Sequence, residues 1–196
     1  TITTFASATT STISLNVAIR DTSPLAIVTA DGAAATDLLI SGVISGVASN
    51  PINKSGAGTL VLSGANSFTG DLVINDGIVA TGFANRRTLG SIASGSVIVD
   101  GATSQLQINH TNGFGQASNV ATNRTLVARN GGSIVSASGV VNRVGNVTLE
   151  GGTLTVNNTN TAFGGIYLGT LTGGAQATVS VGGSAASLIN GSGLIA

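Results

Sequence analysis

Apolar triplets punctuated by glycine constrain this chain more than any other feature. Short runs rich in leucine and β-branched residues recur as LLI (38–40), LVL (60–62), LVI (72–74), VIV (97–99), LQI (106–108), VTL (147–149), LTV (154–156) and VSV (179–181). Apolar residues do not return at three- and four-residue spacing, and glycine interrupts nearly every run, so a helix finds no continuous face to bury. Short strands remain. A strand, a glycine turn and a second strand recur as LVINDGIVA, VIVDGATSQLQI, LVARNGGSIVS, VTLEGGTLTV and VSVGGSAASLI. Their turn glycines are Gly77, Gly101, Gly131, Gly151 and Gly182, at intervals of 24, 30, 20 and 31 residues.

A unit of this size has an apolar face too small to bury alone and becomes stable when stacked on similar units. The predicted fold is therefore all-β, a single-domain parallel β-helix (solenoid) in which each strand hydrogen-bonds to the coils above and below it. With about 20–25 residues per coil, the chain makes eight or nine coils and a rod about 40 Å long. Glycine, and to a lesser degree Asn and Asp, supplies the corners, where φ is positive. An antiparallel sandwich or barrel would need longer alternating strands and aromatic anchors, whereas the chain has five Phe and one Tyr. The solenoid is expected over 13–196, with the Thr- and Ser-rich residues 1–12 as an N-terminal edge or linker. Pro24 and Pro51 fall outside the triplets, where a missing N–H does least harm.

Charge narrows the function classes. Charged residues make up 7% of the chain, against roughly 25% in average soluble domains, and seven basic residues balance seven acidic ones. No basic stripe exists for nucleic acid. Cysteine is absent, which removes disulfides, thiolate metal sites and thiol redox chemistry. No run approaches the ~18 apolar residues of a membrane helix, so this segment is not expected to insert into a membrane.

Few residues are equipped for chemistry. His110, the single histidine, lacks a triad signature and reads as a turn residue closing the LQI strand. Asp71 and Asp76 flank LVIN, and their five-residue offset places them on opposite faces, about 16 Å apart along an extended strand. Asp100 and Glu150 each precede a turn glycine, and stacking aligns such positions across coils, although an acid before Gly is ordinary turn chemistry. Neither a GGxGxD calcium repeat nor a GxxxxGK[ST] phosphate loop is present. No catalytic, cofactor-binding or metal residue is assigned. Arg86 and Arg87 form the sole basic doublet and read as a solvated loop, with contact to an anionic glycan, lipid or partner as the alternative. Asn66, Asn75, Asn119, Asn146, Asn157 and Asn158 stand near turns, where asparagine tolerates left-handed backbone and can hydrogen-bond along a stack.

The segments LLISGVISG (38–46), KSGAGTLVLSGANSFTGDLVINDGIV (54–79) and TLGSIASGSVIVDGATSQLQI (88–108) resemble the autotransporter-associated β-strand repeat, also called the passenger-associated transport repeat, of exported bacterial surface proteins. The resemblance covers about 38–108. It implies a parallel β-helical passenger segment, right-handed as is usual in that family, outside the cell or on its surface, where the repeat is associated with passage across the outer membrane. One departure is that Gly70 is followed by Asp71 and Leu72 where the family usually continues GG-T. A bacterial origin also means that sequons such as NHT, NRT and NVT carry no glycan.

The expected role is a non-enzymatic extracellular stalk, scaffold or self-assembling fibre block, with an adhesin surface for glycans or neighbouring cells as the alternative. The final SAASLINGSGLIA stops within the coil pattern. The expectation is a piece of a longer polypeptide that continues into further coils, or else a short subunit whose open ends pair with other copies.

Overall fold

In LLI, LVL and LVI the first and third residues face one way and the second the other. In the computed structural model those outer residues, Leu38 and Ile40, Leu60 and Leu62, Leu72 and Ile74, are all buried. The structure describes residues 1–20, 23–46, 50–84, 87–90, 94–114, 122–157, 165–168, 178–183, 186–192 and 194–195.

Strands are the only regular elements among them. The first coil contains β1 (Ile2–Thr4), β2 (Ser11–Ile13) and β3 (Val17–Ile19), and the second β4 (Leu25–Thr29), β5 (Leu38–Ile40) and β6 (Ile44–Gly46). Next come β7 (Ile52–Ser55) with β8 (Thr59–Leu62), β9 (Leu72–Ile74) with β10 (Gly77–Thr81), and β11 (Ser96–Asp100) with β12 (Ser104–Ile108). The later coils are built from β13 (Thr122–Arg129), β14 (Ser133–Ser136), β15 (Val141–Glu150), β16 (Thr153–Asn157), β17 (Gly165–Leu168), β18 (Val179–Gly182), β19 (Leu188–Ser192) and β20 (Leu194–Ile195).

These strands form a ten-stranded sheet, an eight-stranded sheet and the two-stranded β3–β6 sheet, none of which pairs strands adjacent in sequence. Every strand pairing is parallel. The chain is a parallel β-helix.

Register shows how regular the stack is. In the ten-stranded sheet one inward column runs Ile2, Ile27, Lys54, Ile74, Val99, Ala128, Leu149 and Val181, advancing by 25, 27, 20, 25, 29, 21 and 32 residues. In the eight-stranded sheet the matching column is Ser11, Leu38, Leu60, Val79, Leu106, Ile134, Leu154 and Ile189. Eight coils at about 4.8 Å each give a rod about 38 Å long. Ile19 and Ile44 from the two-stranded sheet, with Phe68, Leu89, Phe114, Val144 and Ile166 from later coils, join the two columns in one core.

The last four column steps, 25, 29, 21 and 32, follow the turn-glycine intervals to within one residue. Gly77, Gly101, Gly131 and Gly151 have φ of +68°, +105°, +88° and +74°. At the fifth corner the positive φ falls on Gly183 (+90°), one residue beyond the expected Gly182. Asn130, before Gly131, is also left-handed, with φ +53°.

Two strands exceed the triplet pattern. β13 has eight residues and β15 ten. β15 pairs with β17 through Val141–Val144 and with β18 through Val147–Glu150, so one strand spans two sides of the coil. Residues 1–12 carry β1 and most of β2, the outermost strands of their sheets. Pro24 and Pro51 immediately precede Leu25 and Ile52, which are paired in register, so the two prolines occupy equivalent corners.

One core position is imperfectly matched to its neighbours. Ser136 lies inward in register with Ile108 and Val156, and its buried hydroxyl has no hydrogen-bond partner. Burying an unsatisfied hydroxyl is unfavourable. Ser136→Ala is expected to raise stability by about 1 kcal/mol, seen as a higher urea midpoint at unchanged slope; a lower midpoint would contradict this.

Candidate functional site

Two cations sit inside the rod, at different corners. Alternation from Ile52 along β7 directs Lys54 inward, and the residue is 0% exposed, stacked between Ile27 and Ile74. Its stem fills an aliphatic layer. Its Nζ donates to the carbonyl oxygens of Gly56 (2.6 Å) and Asp76 (2.9 Å), in the corners of two successive coils. Asp37, also buried, accepts from the Gly32 N–H (2.9 Å) and the Thr59 N–H (2.7 Å). Burial pushes the Lys54 amine down from 10.5 to about 8, opposed by the negative charges of Asp76 and Asp37.

This shift has a sign that can be checked. The folded state disfavours the protonated amine, so Lys54's contribution is fully present above pH 10.5 and is lost as pH falls through about 8. Stability is expected to rise by about 3 kcal/mol between pH 8 and 10.5 through this residue. Chemical denaturation across that range, compared with Lys54→Met, should show an increase in the parent that the variant lacks; parallel profiles would rule it out.

Arg124, on β13, is 1% exposed. Its guanidinium carbon lies 5.2 Å from the centre of the Phe68 ring. One terminal nitrogen donates to Ser94 O (2.8 Å), and the other to Gly70 O (2.8 Å) and Ser96 O (3.4 Å). A single side chain thus ties carbonyls from the two preceding coils. Burial lowers its pKa to about 10, with Asp71 opposing, which leaves it charged at neutral pH.

Buried amides form a second set of ties. Asn66 accepts from the Ile44 N–H (2.7 Å) and donates to Thr88 O (2.7 Å). The Thr88 hydroxyl donates to Gly113 O (2.9 Å), and Asn142 accepts from the Gly113 N–H (2.8 Å) and donates to His110 O (3.0 Å). At the surface, exposed Asn16 accepts from the Val43 N–H (2.9 Å), and half-buried Asn146 from the Thr178 N–H (3.1 Å). Of the asparagines singled out by sequence, Asn66 and Asn146 bond from their side chains to the backbone of adjoining coils. Asn157 is exposed, and Asn119 and Asn158 lie outside the described residues.

The other residues singled out by sequence are distributed along the rod. His110 Nδ1 is 2.7 Å from Thr81 O; a carbonyl only accepts, so Nδ1 carries the proton in this bond. Asp71 accepts from the Ser96 N–H (2.7 Å) and Asp76 from the Gly77 N–H (2.9 Å), each at its own corner. Asp100 is held by Arg129 at 2.7 Å and by the Asn130 side-chain amide at 2.8 Å. The hydrogen bonds from Asn130 and then Arg129 set its carboxyl below the usual range.

Asp100 pairs in register with Arg129, and Glu150 follows one coil later, since Ala128 pairs with Leu149. Arg87 is exposed and forms a backbone bridge to Phe114, and Arg86 lies outside the described residues. Among the described residues no three His, Cys, Asp or Glu side chains gather closely enough to hold a metal ion. The polar chemistry concentrated in the interior therefore binds coil to coil.

Lys54, Arg124, Thr88 and Asn142 received no role from sequence reasoning. For Lys54 the signal was present, because Ile52 two residues earlier is inward and alternation carries Lys54 with it. No curated protein and no solved structure was found to match the chain. A family model does match: residues 52–80, from β7 into β10 and including Lys54 with both carbonyls it binds, match the model of the passenger-associated-transport repeat.

Proposed function

We propose that this chain is a non-enzymatic structural segment of an exported bacterial surface protein, a stacked-coil rod that serves as stalk or scaffold outside the cell. The observation that carries this reading is the passenger-associated-transport repeat set within an eight-coil stack whose ladders continue on both sides of it. The interior polar groups hold backbone of neighbouring coils, a use that suits a load-bearing element. The 7% charged content leaves the flanks mostly uncharged, which weakens repulsion between neighbouring molecules.

Antibody labelling of intact producing cells tests the location. The reading expects signal without permeabilisation and loss of that signal when residues 52–80 are deleted. Signal that appears only after permeabilisation overturns it.

A further inference from the structure

We propose that the corners Asn112–Gly113 and Asn130–Gly131 are deamidation sites held shut by the stacking of coils, so that the modification takes place in chains whose coils have separated and weakens their reclosure.

Backbone sets these two asparagines apart. Among the described residues they alone, apart from glycine, have positive φ, +53° at each. Each is followed by glycine, so no side chain shields the next peptide nitrogen. That nitrogen is the nucleophile of the reaction. It gives its proton to hydroxide and attacks the asparagine Cγ; the N–Cγ bond forms, the Cγ–Nδ2 bond breaks, and Nδ2 leaves as ammonia with a proton from water. Water then opens the cyclic imide at either carbonyl, giving aspartate or its isomer with the main chain routed through Cβ and Cγ. The net change consumes water and releases ammonia, with no oxidant and no cofactor.

The stack blocks the nucleophile. Gly113 donates its N–H to Asn142 Oδ1 (2.8 Å), a buried bond, and Asn112 donates its backbone N–H to Val141 O (2.8 Å). Gly131 donates to Gly151 O (2.7 Å), and the backbone N–H of Asn130 to Glu150 O (3.1 Å). Both corners are thus clipped to the following coil through two consecutive N–H groups. A nitrogen stripped of its proton would face an oxygen at that distance, and it must swing out of the ladder to reach Cγ. At Asn130 the leaving amide is held too, since Nδ2 donates to Asp100 Oδ1 (2.8 Å). Two Asp–Gly corners, whose carboxyls cyclise in the same way with loss of water, follow the same rule. Gly77 donates to Thr103 O (3.1 Å) and Gly101 to Arg129 O (3.2 Å), each in the next coil.

Separation of the coils frees nucleophile and amide together, and reaction then runs in proportion to how often the coils part. The isomer adds a main-chain carbon at the corner, which disturbs the spacing at which the two N–H groups meet the next coil. At Asn130 either product also removes the donor to Asp100 and sets a second carboxylate beside it.

Peptide mapping by mass spectrometry of the whole chain, held in mildly alkaline buffer with and without guanidinium chloride, tests this. The expected result is conversion of Asn112 and Asn130 about 100-fold or more slower in the folded chain than in the denatured one. Asn142→Leu removes the acceptor of the Gly113 N–H, so Asn112 should convert about 10-fold or more faster than in the folded parent while Asn130 stays slow. After transfer from denaturant to buffer, size exclusion separates refolded from unrefolded chains, and the isomer at either site should be depleted in the refolded fraction. Folded-parent rates within about 10-fold of the denatured rates overturn the proposal, whether or not the leucine variant folds. An unchanged Asn112 rate in a folded leucine variant also overturns it, as does equal isomer content in the two fractions.

Discussion

Arg124→Ala is expected to destabilise the chain by about 4 kcal/mol, because it removes a wholly buried side chain whose two terminal nitrogens bind three carbonyls. The truncation opens a cavity against Phe68, over which the guanidinium lies. It also leaves the carbonyls of Gly70, Ser94 and Ser96 without this donor in two successive coils. Arg124→Lys keeps the charge but loses the planar fork, and a single ammonium does not reproduce the same set of bonds. It should recover less than half of the loss. Urea denaturation reads both variants, and an alanine variant within about 1 kcal/mol of the parent would show that the guanidinium does not hold these coils together.

The second large effect is expected at Gly77. This residue has φ +68°, and a Cβ there would stand 2.5 Å from the Gly56 carbonyl oxygen of the coil above it. Backbone in the adjoining coil cannot rotate away as a side chain can. Gly77→Val adds left-handed strain to this clash, and the two together should cost about 4 kcal/mol or more.

Two other glycines separate the causes. Gly139 has φ +74° but open space around it, so Gly139→Ala should cost only the strain, about 1 kcal/mol. Gly182 has neither positive φ nor a neighbour within 4 Å, so Gly182→Ala should be neutral or stabilise by about 0.5 kcal/mol. Thermal midpoints in the order Gly182→Ala, Gly139→Ala, Gly77→Val, from highest to lowest, are expected; equal losses at Gly77 and Gly139 would show that backbone conformation alone, and not contact between coils, sets the demand for glycine.

That glycine series also shows where sequence reasoning reached its limit. Gly182 looked like a corner because it aligns with the other turn glycines, yet the chain turns at Gly183. Two adjacent glycines satisfy the same local preference equally well. The choice between them depends on how β18 registers against β15. The role of β15 was hidden for a related reason: VTL reads as a three-residue strand, but Val141–Glu150 extends to ten because two different later strands pair with its two halves.

The period-two alternation, four of the five glycine corners, the spacing between coils and the segment matched by the repeat model at residues 52–80 were legible in the amino-acid order alone. Each of these follows from rules that act within a few residues of backbone, and so each leaves a local trace. Which carbonyls Lys54 and Arg124 hold was settled by stacking. Asp76 lies 22 residues from Lys54 and Gly70 lies 54 residues from Arg124, separations that stacking closes and no local pattern encodes. An inward cation is tolerable only where such partners converge, and their convergence is a property of the assembled coils.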